Sequence, residues 1–319
     1  MLNFRSLYSG STGNSLFIES DNTKILVDSG VSLKKLTSAL SYSNISLSDI
    51  NAIIVTHEHS DHVQSLGMVS SKYNIPVYAN EKTWDAMPKQ KERISDTNQK
   101  FFKSYEKFEI GDLIIDPFSI PHDAADPCGF NIINNNEKIS IATDIGHMTK
   151  SIVNKLDGSS FILLESNYDP EILKSGKYPY YLKTRILGPN GHLPNEMAGK
   201  TIAYLLKGSL KEVMLGHLSK ENNFPELAYQ TVIEELKREA KEELTQEVFA
   251  EGEQSGEQLK IVNQVIKKVK KSKTLETIAS ELEEEEADIK PIYDAVVSSA
   301  PDYDINAVSY THLRAHETC

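Results

Sequence analysis

The chain has 319 residues, 39% apolar and 25% charged, with a formal net charge of −12. That is enough apolar material for one large domain or two smaller ones, with a charged fraction ordinary for a soluble protein. The totals exclude a uniformly basic nucleic-acid binder, yet the acidity is uneven: residues 1–240 carry 25 Lys and Arg against 29 Asp and Glu, and residues 241–319 carry 9 against 17, so a basic groove in the first part stays open.

The first half reads as short strands joined by small-residue turns. "LNFRSLY" and "NSLFIES" alternate and flank "SGSTGNS", and "KILVDSG" is a buried strand ending at Asp28. "SLKKLTSAL" has helical spacing at Leu33, Leu36 and Leu40, and "DINAIIVTH" is an apolar, β-branched strand that stops at His57. The pattern then predicts a helix after His62, a short strand "IPVYA" and a polar helix over residues 81–93. A hairpin-rich run follows, with "NNNEK" as a turn, and then a buried strand, "SSFILLESN". Helices are expected over 178–186 and 196–207, a strand at "EVMLGHLS", and a helix from about Pro225, where Pro is tolerated in the first turn.

Near residue 234 the character changes. "EELKREAKEELTQEVFAEGEQSGEQ" is charged and helical, with a break expected near Gly252 and Gly256. "LKIVNQVIKKVKK" then places Leu259, Val262, Val265, Ile266 and Val269 on one face, and "TLETIASELEEEEADIKPIYDAVV" reads as two short helices. Residues 1–233 form the expected main domain, 234–304 a helical appendage, and 305–319 a disordered or artefactual tail. "SYTHLRAHET" in that tail resembles translated adapter sequence, so His312 and His316 are left out of the site. Cys128 and Cys319 make no disulfide framework, the amino terminus lacks a signal-peptide core, and no run approaches the ~20 apolar residues of a membrane span. A cytoplasmic protein with no membrane association is expected; the sequence says nothing of its oligomeric state.

The chemistry concentrates in "THEHSDH", where three imidazoles, a Glu and an Asp occupy one short loop. His57 and His59 are two apart and leave an extended segment on one side. Asp61 and His62 lie beyond, so one loop can serve two metals. Each metal then needs donors from elsewhere, and His122, Asp144 and His217 each end a predicted strand. Any one of these could be a satisfied structural residue; in this order after H-x-H-x-D-H they point to a metal site.

With "SLYSGSTGNS", "ILVDSG", "PHDAADPCGF", "ATDIG", "LLESNYD", "GHLPNE" and "GHLSKENN" added, residues 1–232 resemble the metallo-β-lactamase fold hydrolases, closest to the YycJ/WalJ-like subfamily related to ribonucleases Z and J. The resemblance implies a four-layer αββα sandwich, here with a C-terminal helical appendage. It implies that His57, His59 and His122 bind a first metal, that Asp61, His62 and His217 bind a second, and that Asp144 bridges them. Asp28 would brace the ligand loop. Glu165 and His192 resemble the pair that nucleases of this group place beside the leaving group. Pro194 stands where relatives usually carry Ser, which removes a hydroxyl and an N–H near the proposed phosphate.

The expected function is therefore a binuclear metal-dependent phosphodiesterase, an exonuclease acting on DNA rather than RNA. Its nucleophile would be a hydroxide shared by two divalent ions, Zn²⁺ first and Mn²⁺ second, with Asp61 accepting the water's proton. Two alternatives stand beside it: hydrolysis of a small ester, thioester or lactam on the same metals, and a partner-binding role for the appendage. "SGSTGNS" reads either as an anion-holding loop or as a plain turn, and Trp84, Tyr180 and Tyr181 either stack on bases or are buried.

Overall fold

Phe17 and Leu26 face one way and Ile18, Ile25 and Val27 the other, so one sheet contributes to two cores. The computed structural model describes residues 2–298, without the side chains of 244, 245 and 247–259. The tail over 305–319, with His312 and His316, lies outside the described residues.

The first sheet holds β1 (Asn3–Tyr8), β2 (Ser15–Glu19), β3 (Lys24–Val27), β4 (Ala52–Ile54), β5 (Val77–Asn80) and β6 (Gln99–Phe102), neighbours in chain order. From β3 to β6 the strands are parallel. Their connections carry α1 (Leu33–Ser41), α2 (Ser60–Val63), α3 (Leu66–Tyr73), α4 (Glu81–Ala86) and α5 (Pro88–Lys91). The second sheet, also in chain order, holds β7 (Phe108–Ile110), β8 (Leu113–Ser119), β9 (Cys128–Asn134), β10 (Glu137–Ala142), β11 (Phe161–Glu165) and β12 (Glu212–Gly216). It is antiparallel up to β10 and parallel from there to β12. Four helices accompany it, α6 (Lys150–Leu156), α7 (Pro170–Ser175), α8 (Tyr180–Leu187) and α9 (Asn195–Leu205), and α10 (Pro225–Val269) follows.

Alternation along the strands sorts the apolar side chains. Ile18, Ile25, Val27 and Ile54 meet Ile115, Phe130, Ile132 and Leu163 between the sheets. Phe17, Leu26 and Ile53 pack outward with Leu36, Leu40, Leu66 and Trp84. Ala142, Ile162 and Leu164 pack outward on the other side with Ile152, Leu156, Ala198 and Ile202. The result is the expected αββα sandwich. β12 ends its sheet, with no further strand beside it among the described residues.

Local departures have physical causes. β4 stops at Ile54, and residues 55–57 continue as buried loop, Val55 N–H donating to Tyr78 O at 2.9 Å. The polar helix expected over 81–93 breaks at Met87 (φ −120°, ψ 55°), because Pro88 disfavours helical geometry in the residue before it. α7 was not expected, although Asp169 caps it and Pro170 opens it. α10 runs through Gly252 and Gly256 instead of breaking there; each Gly costs about 1 kcal/mol, which the surrounding Glu, Gln and Ala can offset.

The described residues divide into two compact units, one up to residue 239 and one from residue 240 onward. In the second, Val262, Val265 and Ile266 from the end of α10 bury against α11 (Leu275–Leu282) and α12 (Glu286–Ser298) through Ile278, Ile289, Ile292 and Val296. The side chain of Leu259, expected on that face, lies outside the described residues.

Gly30 shows how closely the loops behind the site approach. It donates to Asn14 O at 2.8 Å, and a Cβ there would lie 1.6 Å from the Asp61 carbonyl oxygen. Gly30→Ala should therefore lower unfolding free energy by about 2 kcal/mol or more, read as a drop in the urea midpoint; an unchanged midpoint would contradict this contact.

Candidate metal centre

His57, His122, Asp144 and His217 lie just past the carboxyl ends of β4, β8, β10 and β12, and the strand order brings these ends to one edge. His59, Asp61 and His62 join them from the loop and first turn that open α2. Donor atoms of His57, His59 and His122 lie within 4.8 Å of one another, as do those of Asp61, His62 and His217. Asp144 belongs to one such group with His57 and His62 and to another with Glu165, His192 and His217. Its Oδ2 is 3.4 Å from His62 Nε2, and its Oδ1 is 3.4 Å from His217 Nε2. The structure thus gathers all seven sequence-predicted donors, with Asp144 between the two sets.

Four of the imidazoles are oriented from behind. His62 Nδ1 donates to Asp28 Oδ2 at 2.7 Å, and the same carboxylate accepts from Thr56 N–H and Thr56 Oγ1. His122 Nδ1 donates to Gly191 O at 3.2 Å. His192 Nδ1 and His217 Nδ1 both donate to Glu165 Oε1 at 2.8 Å, while Glu165 Oε2 accepts from Ile145 N–H and Leu193 N–H. Glu165 is fully buried and touches no solvent. Bonding through Nδ1 leaves Nε2 of these rings for the site. Asp28, Asp144 and His217 all adopt left-handed backbone (φ 64°, 60° and 54°), a conformation that side chains other than Gly rarely take and that clusters at functional sites.

The electrostatics follow from burial and charge. Burial opposes ionisation of Asp144, but His217, His62, His57 and His122 outweigh it and hold the carboxyl well below the usual carboxylate range. Burial also opposes Glu165 ionisation, and His192 followed by the two imidazole hydrogen bonds outweighs it. Burial and the neighbouring His62 push His57 well below 6.5. His62 and His217 go the other way: burial lowers them, yet Asp144, with Asp28 for His62 and Glu165 for His217, raises each to about 9.

These groups fit divalent cations. Asp144 Oδ2 and His217 Nε2 are buried and make no hydrogen bond, and leaving such groups unpaired costs about 1–3 kcal/mol each. Asp144 Oδ2 lies 3.4 Å from His62 Nε2, and His217 Nε2 lies 3.4 Å from Asp144 Oδ1, so a divalent cation among them would supply the missing partner. Nitrogen and oxygen donors without thiolate suit Zn²⁺ or Mn²⁺.

The sequence profile of the Beta-lactamase superfamily domain matches residues 23–217. The chain belongs to this superfamily. It is 41% identical to the exodeoxyribonuclease YycJ of Bacillus anthracis over 236 residues, covering 74% of this chain and 89% of that protein. It is 39% identical to the exodeoxyribonuclease WalJ of Streptococcus pneumoniae over 232 residues, covering 72% and 86%. Zn²⁺-bound PqqB from Methylobacterium extorquens shares the fold, with TM-score 0.57, 16% identity and coverage of 70% of this chain and 90% of that one. The chain is therefore a β-lactamase-superfamily member of the YycJ/WalJ kind, as its motifs implied.

Several residues of this superfamily site escaped sequence reasoning. Asn14 Nδ2 lies 3.0 Å from His62 Nε2, and its Oδ1 accepts from Gly10 N–H. Gly13 N–H donates to Gly10 O within the same turn and Asn14 N–H donates to Asp61 O in the ligand loop, so these three N–H groups of "SGSTGNS" are not free for an anion. Asn167 donates to His217 O at 2.6 Å; it stands two residues after Glu165, which was the available signal. Pro194 makes no side-chain cap; its carbonyl accepts from Ala198 N–H to start α9. Trp84 is core, its indole N–H donating to Lys100 O, and Cys128 is buried between the sheets.

A histidine whose pKa rises on folding stabilises the metal-free protein fully below about 6.5, the ordinary imidazole value, and for His62 and His217 that stabilisation is lost as pH rises through about 9. Metal must displace those same protons. Zn²⁺ uptake at pH 7 should release protons, release fewer as pH passes 9, and tighten over the same range. Calorimetry in buffers of different ionisation enthalpy checks this; buffer-independent heats at pH 7 would refute it.

Proposed function

We propose that residues 1–233 form a binuclear metal-dependent phosphodiesterase that degrades DNA as an exonuclease, with residues 234–304 a separate helical appendage. The carrying observation is Glu165, one buried carboxylate that holds both His217 and His192. A purely structural acid would not need to aim a second, part-exposed imidazole at the centre. His192 keeps 21% of its side-chain surface exposed. The exodeoxyribonuclease names of the Bacillus and Streptococcus relatives support a DNA substrate.

Two divalent cations, Zn²⁺ ahead of Mn²⁺, would be held by His57, His59 and His122 on one side and Asp61, His62 and His217 on the other with Asp144 between; bound there, they supply Lewis-acid charge and acidify water. Asp61, at the loop's exposed edge, accepts the proton of the attacking water. His192 faces the opposite side of the phosphodiester, where its Nε2–H holds a phosphate oxygen and protonates the departing oxygen. Glu165 fixes the tautomer by holding Nδ1–H and stabilises the imidazolium until that transfer.

The cleft beside His192, about 150 Å³, is lined by Ser11, Asn167, Arg185 and Ser219 as well as Tyr178 and Leu182. A phosphate would complement the Arg185 guanidinium and the Ser11 and Ser219 hydroxyls there, in competition with Asp123, whereas a small apolar ester carries no charge to match them. Phosphodiester therefore fits better than ester, thioester or lactam. Among the described residues no helix is long and apolar enough to cross a membrane, and the buried free thiol of Cys128 suits a reducing cytoplasm.

The test is cleavage of labelled single- and double-stranded DNA and RNA by Zn²⁺- or Mn²⁺-loaded protein. Asp61→Ala should abolish it, and a chelator should stop the wild type. His192→Ala should lower kcat by about 10²-fold or more with metal content unchanged. Glu165→Gln should lower kcat and also weaken metal affinity by about 10–100-fold, because His217 loses its brace. Cleavage that survives Asp61→Ala, or activity confined to a small ester, would overturn the proposal.

A further inference from the structure

The protein is acidic overall, yet residues 172–195 contain four basic side chains, three tyrosines and no Asp or Glu. This segment includes the end of α7, the loop Gly176–Pro179 and all of α8. Sequence reasoning left Tyr180 and Tyr181 open between stacking and burial. They are 85% and 74% exposed, far beyond what an aromatic ring gains by sitting in water.

Helical spacing divides α8 between two surfaces. Leu182, Arg185 and Ile186 line the cleft that reaches His192. Tyr180, Lys183, Thr184 and Leu187, the adjacent helical stripe, line an open groove of about 560 Å³ together with Lys174 and Gly188. The groove and the cleft are thus two sides of one short helix, and the cleft leads to the proposed proton donor.

Two of the four cations are ion-paired, both at exposed positions. Lys174 pairs with Glu171 at 2.8 Å, both largely exposed, and Lys183 donates to Lys174 O at 2.7 Å. An exposed pair of this kind is screened by solvent and weak, so phosphate can compete for Lys174. Arg185 pairs with Asp123, next to His122.

We infer that the α7–α8 segment is a strand platform that grips single-stranded DNA behind the scissile phosphate, with Tyr180 and Tyr181 stacking on bases and Lys174, Lys177 and Lys183 facing the phosphates. Aromatic faces on a basic surface are the recurring solution for binding single strands without reading sequence. A duplex keeps its bases stacked inside and offers these rings nothing. The inference rests on the nuclease reading of the adjoining site for what is done to the strand, but the binding itself does not require metal.

The experiment uses the full chain, wild type and the double variants Tyr180→Ala/Tyr181→Ala and Tyr180→Phe/Tyr181→Phe, the latter keeping the rings. Anisotropy of a labelled dT12 strand is read with metal removed by chelator, against an rU12 strand and a 12-base-pair duplex. The Ala pair should weaken dT12 binding at least about tenfold, since stacking is worth roughly 1–3 kcal/mol per base and 1.4 kcal/mol is tenfold. The Phe pair should bind as wild type does. With Zn²⁺ or Mn²⁺, kcat/KM for dT12 relative to that for bis(p-nitrophenyl) phosphate should fall by a similar factor in the Ala pair. Equal dT12 binding by wild type and the Ala pair, no measurable binding by wild type, or tighter binding of rU12 or duplex would each overturn the platform. Binding of dT12 that depends on the rings without any cleavage would leave the platform standing and overturn the nuclease reading instead.

Discussion

A carboxylate removed from water needs charge around it, and Asp144 is the point on which this molecule turns. It is buried, ionised far below its ordinary range, and faced by four imidazoles. A buried charge that loses its partners costs several kcal/mol, so the surroundings of Asp144 cannot drift. They arrive from three further strand ends, with His57 and His62 past β4 in one sheet, and His122 past β8 and His217 past β12 in the other, the sheet whose β10 ends at Asp144 itself. The sandwich is in this sense an instrument for bringing those ends together. Its inter-sheet core, with Phe130, Ile132 and Leu163 opposite Ile25, Val27 and Ile54, fixes the spacing of the ends. The left-handed turns at Asp28, Asp144 and His217 then aim the side chains.

The second layer explains why so many polar groups are buried here. Asp28 satisfies Thr56 and His62, Glu165 satisfies His192, His217 and two backbone N–H groups, and Asn167 reaches the His217 carbonyl. None of these bonds is local in sequence. Each ties a strand end to a distant segment of the chain, so the ring orientations are set by tertiary structure as a whole. A network satisfied to this degree is rigid, and what it leaves unpaired, Asp144 Oδ2 and His217 Nε2, points at the metal position.

The sequence made some of this legible and hid the rest for identifiable reasons. The ligand loop could be read because its histidines are adjacent in the chain, and His122, Asp144 and His217 because each closes an apolar, β-branched run. The sandwich could be read because strand alternation is a local signal. Asn14 could not: its role depends on where the loop after β1 meets α2, a contact across 47 residues. The reach of Glu165 to His217 as well as His192 likewise depends on the register of β11 against β12. α7 was missed despite its Asp-Pro start because six residues give too short a period to see. The expected break in α10 reflects the opposite error, in which Gly propensity was allowed to outweigh a long run of good helix formers.

Net charge was a poor guide to partners for the same reason. Charges act within a Debye length of about 8 Å at physiological salt, so a total summed over the whole chain does not describe what a phosphate at α8 would meet. What such a phosphate would meet is a basic surface with two carboxylates at its margins, Glu171 paired with Lys174 and Asp123 paired with Arg185. The second pair has a consequence for the site. Arg185 lowers the Asp123 carboxyl, after burial has raised it, and so keeps an anion beside His122, whose Nε2 is 3.4 Å from Asp123 Oδ1. An incoming strand that draws Arg185 toward its phosphates alters the charge next to a proposed metal ligand. The cleft that reaches His192 therefore holds an ion pair that a bound phosphate would disturb, and the disturbance would be felt electrostatically at His122.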